Sequence, residues 1–374
     1  MKSNKREKLL AILPSIISVL AGLIFGWYLM FLTKPSDALG GLGTILFGGI
    51  LDGAPGIGTW LYTATPIILT GLSVGCSIKT GLFNIGASGQ FTVGGFTAIL
   101  VACKVTGLPP VLVSVLAVFA GMAAGALWGA IAGAMKAYFS VNEVISGIML
   151  NYTGMLLVNV LIKKLVYNPA FNRSADIPDA IKLGDSLIGR VIAGSRIGIA
   201  FTITIITVLI VKFMFDKTCF GYELKVTGKN RFAGIYAGIN DKKSIILSMT
   251  ICGALSGLAG TLVYLSSFGD HIMVLENILP FGFTGISVAL LGMSDPIGII
   301  IAGLFIAHIQ VGGAYLQLYS YTPDVVDMII GIIVFCGALV IPVRSLIEYS
   351  LKNREKMRGK AAAGISAEGK EAEA

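Results

Sequence analysis

The segment 81–90 reads GLFNIGASGQ and sets Asn84, Ser88 and Gln90 among Gly81, Gly86 and Gly89, inside a stretch that is otherwise apolar. Amides and hydroxyls donate and accept hydrogen bonds without charge, so the chemistry open to these residues is recognition of a neutral polar solute. Asn151 and Tyr152 add two more such groups within the apolar run 144–162. Charged chemistry is scarce. Glu143 follows Asn142 and begins that run, and Asp324 and Asp327 follow Pro323 and begin another, positions where helix N-termini favour acids without any further role. His271 and His308 stand apart from each other and from every cysteine, and the five cysteines form no CxxC pair. Neither a metal site nor a disulfide framework is expected. No phosphate-loop, HExxH or GxSxG motif is present, so no catalytic residue and no cofactor are expected.

The elements that must position these groups follow from composition. Of 374 residues, 55% are hydrophobic and 13% charged, about half the charged share of soluble domains. A bilayer-crossing helix needs about 20 apolar residues, and such runs fall near 9–32, 57–78, 82–103, 110–135, 144–162, 197–211, 245–269, 277–294, 297–320 and 325–343. The expected fold class is therefore all-α and polytopic, with about ten transmembrane helices, some broken or re-entrant. The run 277–294, interrupted by Pro280 and glycines, either spans or re-enters. With the N-terminus cytoplasmic, 20 of the 28 Lys and Arg fall on the inner side, which the positive-inside rule favours; both termini are then cytoplasmic. The net charge of +8 is a topology signal, and nucleic acid is not an expected partner.

One transmembrane domain, 1–343, is expected, with an external loop at 163–196, a cytoplasmic loop at 212–244, and a basic then disordered tail at 344–374. The inner loop carries Phe220, Tyr222, Leu224, Val226, Phe232, Ile235, Tyr236 and Ile239 among its charges. That many apolar groups predict short helices that dock against a partner. Gly121, Gly125, Gly129 and Gly133 recur every four residues on one stripe, and Gly253, Gly257 and Gly260 form a second; both predict close helix packing. The glycine-interrupted 81–90 segment has two readings: a broken helix beside a translocation path, or an interfacial helix start capped by Asn84.

The runs GLFNIGASGQFTVGGFTA (81–98), NEVISGIMLNYTGMLLVNVLI (142–162) and GYELKVTGKNRFAGIYAGIN (221–240) resemble the permease subunits of bacterial ABC importers of the branched-chain amino acid, ribose and nucleoside superfamily, most closely those that import nucleosides with a basic-membrane-lipoprotein type of binding protein. The resemblance runs from about 57 to 343. It implies that 221–240 forms a coupling helix seated on a cytoplasmic ATP-binding subunit, with Gly228, Asn230, Ala233, Tyr236, Ala237, Gly238 and Ile239 keeping the pattern. Arg231, Gly234 and Lys225 depart from it, where Pro, Ala and Arg are usual. It also implies that Asn84 and Gln90 lie near the translocation pathway.

The resemblance further implies a second permease chain, identical or homologous, an extracytoplasmic substrate-binding lipoprotein, and a place in the bacterial plasma membrane. With no ionisable side chain in mid-span, ion coupling is disfavoured, and ATP-driven alternating access for a small neutral solute such as a nucleoside is expected. The alternatives are a simple-sugar or branched-chain amino acid permease, a secondary transporter and a structural scaffold.

Overall fold

The computed structural model describes residues 2–184, 198–266, 269–319, 321–322, 324–333 and 335–336, with side chains from residue 17 onward apart from Ser18. The chain is an all-α polytopic membrane protein, with one small hairpin among the described residues. Its helices are α1 (Lys2–Thr33), α2 (Ala38–Leu51), α3 (Gly53–Lys79), α4 (Ala87–Lys104), α5 (Pro110–Phe139), α6 (Glu143–Leu165), α7 (Ile199–Lys217), α8 (Cys219–Lys229), α9 (Arg231–Tyr236), α10 (Asp241–Tyr264), α11 (Phe281–Leu291) and α12 (Pro296–Ala314). Six described stretches are long and apolar enough to cross a membrane: α3, α5, α6, α7, α10, and α12 extended to Tyr319. The other spans expected from sequence correspond to α1, α4, α11 and the helical residues 324–333.

Three boundaries differ from expectation. The 14-residue α2 lies where no span is expected, because a glycine-rich helix of about 21 Å escapes a search for span-length runs. The expected span at 82–103 becomes helical only at Ala87. In 277–294 the helix is α11 alone, 11 residues or about 16 Å long, half of the roughly 30 Å hydrocarbon core. The latter parts of 163–196 and 325–343, and the tail 344–374, lie outside the described residues.

Two apolar cores meet on α3 and α10. One gathers Ile45 of α2, Ile67, Ile68 and Leu72 of α3, and Ile299 and Ile306 of α12, with Cys252 and Leu255 of α10. The other joins Phe91 and Ile99 of α4, Ala117 of α5, Val158 and Ile162 of α6, and Leu258 and Leu262 of α10, with Leu69 of α3. Between α5 and α10 the packing is backbone on backbone. A methyl at Gly125 would press on Gly253 and Gly257, one at Gly129 would overlap the Met249 carbonyl, and one at Gly133 would crowd Ile246. Gly121 faces Thr261 and the Gly94 carbonyl in the same way. Large side chains that stay exposed, such as Phe119, Leu127, Leu156, Ile210 and Phe213, point away from the cores and suit a hydrocarbon surround.

Several buried threonine hydroxyls in these helices bond to the carbonyl one turn back, which satisfies them without water. Thr70 donates to the Pro66 carbonyl, Thr92 to Ser88, Thr204 to Ala200 and Thr261 to Gly257. The α5–α6 turn is closed by an ion pair from Lys136 to Glu143 at 2.7 Å, and Asn142 caps α6 by accepting from the Val144 amide.

The loop between α7 and α10 forms the two short helices expected of it. Thr218 caps α8 and Asn230 caps α9. Arg231, the first residue of α9, donates from Nε to Asp241 Oδ2 at 2.7 Å and so ties α9 to the start of α10. Gly238 has φ +83° and closes the turn that follows.

At the opposite end, β1 (Tyr167–Asn168) pairs antiparallel with β2 (Arg173–Ser174). Residues 272–274 lie alongside as a third extended segment, through the Arg173–Met273 bridge and bonds from Ser174 N to Ile272 O and Val274 N to Asn172 O.

Candidate functional site

The interruption between α3 and α4 is built from residues 80–86. Gly81 takes φ +70°, a conformation that costs other residues about 1–2 kcal/mol. Its α-carbon is pressed against Gly228 of α8, and a methyl on either glycine would overlap the other backbone. The chain then leaves the helix, with Leu82 N donating to Ser77 O and Asn84 N to Ser77 Oγ. Asn84 does not cap α4, whose N-cap is Gly86 without a side-chain bond. The cap by Asn84 is thereby excluded, and residues 80–86 form a non-helical connection between α3 and α4.

Asn84 and Gln90 instead form a reciprocal amide pair. Asn84 Nδ2 donates to Gln90 Oε1 at 2.8 Å and Gln90 Nε2 donates to Asn84 Oδ1 at 3.0 Å. The second Asn84 proton goes to Ser73 Oγ at 2.9 Å, and Ser73 donates on to the Cys252 carbonyl at 2.7 Å. One uncharged network thus joins α3, the break, α4 and α10. Asn151 completes it from α6: its Oδ1 accepts from Gly89 N at 2.7 Å, and its Nδ2 donates to Ile85 O at 3.0 Å. Those are a first-turn amide of α4 and a carbonyl of the break, groups that regular helix would have paired.

Asn84, Ser88, Gln90 and Asn151 are therefore brought together, all nearly or fully buried. Tyr152 is not; it is half-exposed on the outer side of α6. Ser88 differs from its neighbours because its buried hydroxyl has no partner. It lies where α4 begins, against Gly282 at the start of α11, and a methyl on Gly282 would overlap it. Two interrupted helices thus meet at their N-termini, with Phe91 and Phe281 stacked beside them at 4.7 Å.

Two expectations follow for stability. Asn84→Leu should destabilise the protein by about 2–3 kcal/mol, because it strands the Gln90 amide in a dry interior. The double replacement Asn84→Leu with Gln90→Leu should recover part of that loss, since removing both partners leaves less unsatisfied; thermal unfolding in detergent reads both. Ser88→Ala should leave the melting temperature unchanged or raise it, because an unpartnered buried hydroxyl costs free energy. A clear drop would show that Ser88 does have a structural partner.

Two side chains that hold the fold, Asn159 and Ser73, escaped the sequence reading, and His271 was read there only as standing apart from other ligand-type residues. Asn159 of α6 donates to Leu275 O at 2.7 Å and accepts from Leu275 N at 2.8 Å; a polar residue inside LLVNVLI was a legible signal. Ser73 offered none, since serines are common in apolar helices. His271 joins an ion network at the hairpin end, where Nδ1 donates to Asp270 at 2.6 Å and Arg173 donates to Nε2 at 3.2 Å. Asp176, Asp270 and His271 have ligand-type atoms within 4.8 Å of one another. Arg173 already holds Asp176 at 3.0 Å and Lys182 lies 3.5 Å from Asp270, so the cluster is balanced by its own cations. Burial alone would raise the Asp270 carboxyl, but the bond from His271 and the Lys182 charge outweigh it and hold it below the usual carboxylate value. The network clamps the hairpin to the segment that leads into α11.

A helical bundle whose described residues bury no charged side chain, that ties the connection between two helices with neutral amides and leaves short aromatic-bearing helices bare at one end has the build of a multi-pass membrane transport component. The chain belongs to the family described as branched-chain amino acid transport system / permease component, whose pattern matches residues 56–338. It is 33% identical to the guanosine ABC transporter permease protein NupP of Bacillus subtilis over 88% of this chain and 93% of that one. It is also 33% identical to the nucleoside ABC transporter permease protein NupB of Lactococcus lactis, over 95% and 96% of the two chains. A further relative, the guanosine ABC transporter permease protein NupQ of Bacillus subtilis, is 30% identical over 71% of this chain and 84% of its own. No solved structure matches.

Proposed function

We propose that this chain is the membrane-spanning permease subunit of a bacterial ABC importer for nucleosides, working by ATP-driven alternating access in the plasma membrane. The observation that carries the reading is the bare aromatic face of α9. Tyr236 is 97% and Phe232 82% exposed, on a short helix whose neighbour α8 rests directly on the break at Thr80–Gly81. Such a face suits a cleft in a cytoplasmic ATP-binding subunit. Gly228, Asn230, Ala233, Ala237, Gly238 and Ile239 shape the two helices and their turns around it.

In this reading ten crossings, counting broken ones, leave both termini cytoplasmic, a topology supported by the Lys/Arg asymmetry. Two ATP-binding subunits pull the α8–α9 loops together on ATP binding, and the space between two permease chains changes the side to which it opens. The second chain is a copy or a homologue; the similarity to two guanosine permeases of one organism supports a pair of different ones. A lipoprotein delivers the solute to the hairpin end.

The described interior holds neutral amides and hydroxyls and buries no charged side chain, which suits passage of an uncharged solute such as a nucleoside better than of an ion. Tyr152, exposed on α6 and apart from the buried amides, is left as a candidate contact for the solute between the two permease chains. The test is uptake by the reconstituted complex with guanosine, ribose and leucine as competitors. Competition by guanosine alone, dependent on ATP and on the lipoprotein, is expected. Solute accumulation by the purified chain without ATP-binding subunits would sink the reading.

A further inference from the structure

We infer that Asn159 is a positioning residue that, together with Asn151, makes α6 the tie between the two interrupted elements of the bundle, so that movement at the α8–α9 end is carried to the segment beside the hairpin. The inference rests on the permease reading above.

Each asparagine treats a piece of main chain as a strand would. Asn151 bonds the Ile85 carbonyl and the Gly89 amide on the break before α4. Asn159 bonds both the carbonyl and the amide of Leu275, in the extended segment that leads into α11. A carboxamide carries separate donor and acceptor atoms that can bond a main-chain carbonyl and amide at once, and backbone outside regular structure is tolerated at membrane depth only when protein satisfies it. The two residues are eight apart, about 12 Å along one rigid helix.

Contacts continue at both ends. On one side Gly228 of α8 abuts Thr80 and Gly81, and α9 carries the exposed aromatics. On the other, Leu275 follows Met273 and Val274, which pair with Arg173 and Asn172 at the hairpin. A displacement of α8 therefore bears on 80–86, through Asn151 on α6, and through Asn159 on the segment 272–275. Without Asn159 the last link is lost while the packing of α6 on α4 remains.

The experiment uses the complete complex, with its ATP-binding subunits and lipoprotein, in proteoliposomes. Asn159→Leu, close in volume, should lower the solute imported per ATP hydrolysed by about tenfold, within the range that single network residues change coupling, while ATP hydrolysis persists. Asn159→Asp, which can still accept from Leu275 N but does not donate to its carbonyl when ionised, should fall in between and provides the readout if the leucine variant assembles poorly. As a second measurement, Met273, which is exposed, is changed to Cys in a chain with its native cysteines replaced. Its labelling by an impermeant maleimide should respond to ATP with Asn159 present and should not respond in the Asn159→Leu background.

Unchanged coupling in both variants, or uptake and hydrolysis falling in proportion at matched assembly, would overturn the inference, as would labelling that responds to ATP equally in both backgrounds. Absence of ATP-dependent uptake with Asn159 intact would instead overturn the permease reading and, with it, this inference.

Discussion

Phe232→Asp and Tyr236→Asp, made singly, should each abolish ATP-driven uptake while the chain still inserts and folds. Both side chains are almost wholly exposed and touch no core, so replacing them removes little intramolecular packing. What is lost is docking: an aromatic anchor at the centre of an interface is worth about 2–4 kcal/mol, and roughly 3 kcal/mol is a hundredfold in affinity. A carboxylate placed there also has to be desolvated without a partner. The measurement is co-purification of the ATP-binding subunits with each variant, alongside uptake at matched expression. Normal values for both variants would mean that α9 is not the docking element. Gly238→Trp should act through a different cause, since its backbone at φ +83° strains any side chain and distorts the turn after α9.

Gly129→Leu should have the largest effect on the fold. Its α-carbon faces the Met249 carbonyl and the Gly253 backbone, and main chain of a packed helix cannot step aside as a flexible side chain can. Overpacking of this kind costs about 3 kcal/mol at the upper end of the ordinary range, and here it separates α5 from α10, the helix shared by both cores. A melting temperature lower by roughly 5 °C or more is expected in detergent. Gly43→Ala is the control, because a methyl there meets nothing within 4 Å; equal losses in the two variants would show that the glycine stripe is not a close contact.

Much of this arrangement was legible beforehand, for identifiable reasons. Glycines spaced by four mark one helical face whatever lies opposite, so the α5 stripe could be read without knowing that its counterpart was α10. Apolar groups among charges in 212–244 marked short helices, because a mere linker has no use for them. The break at 81–86 was marked by glycines next to amides. Its meaning was not legible: whether Asn84 capped a helix or faced another side chain depends on Gln90 and Ser73, and the latter is brought close by the packing of α3. Asn159 was visible as a polar residue within an apolar run, yet its partner is the backbone of Leu275, 116 residues away. Main-chain partners leave no trace in residue type.

The membrane setting, the apolar runs, the charge asymmetry and the family pattern are properties of local composition and spacing, and the amino-acid order alone determined them. Which half-helices meet at Ser88 and Gly282, which amides lock the break and which asparagines hold extended chain are properties of distance between segments far apart in the chain. Only tertiary packing decided them, because a buried hydrogen bond depends on where two groups are placed in space, and hydrophobic pattern specifies which face is buried without specifying its neighbour.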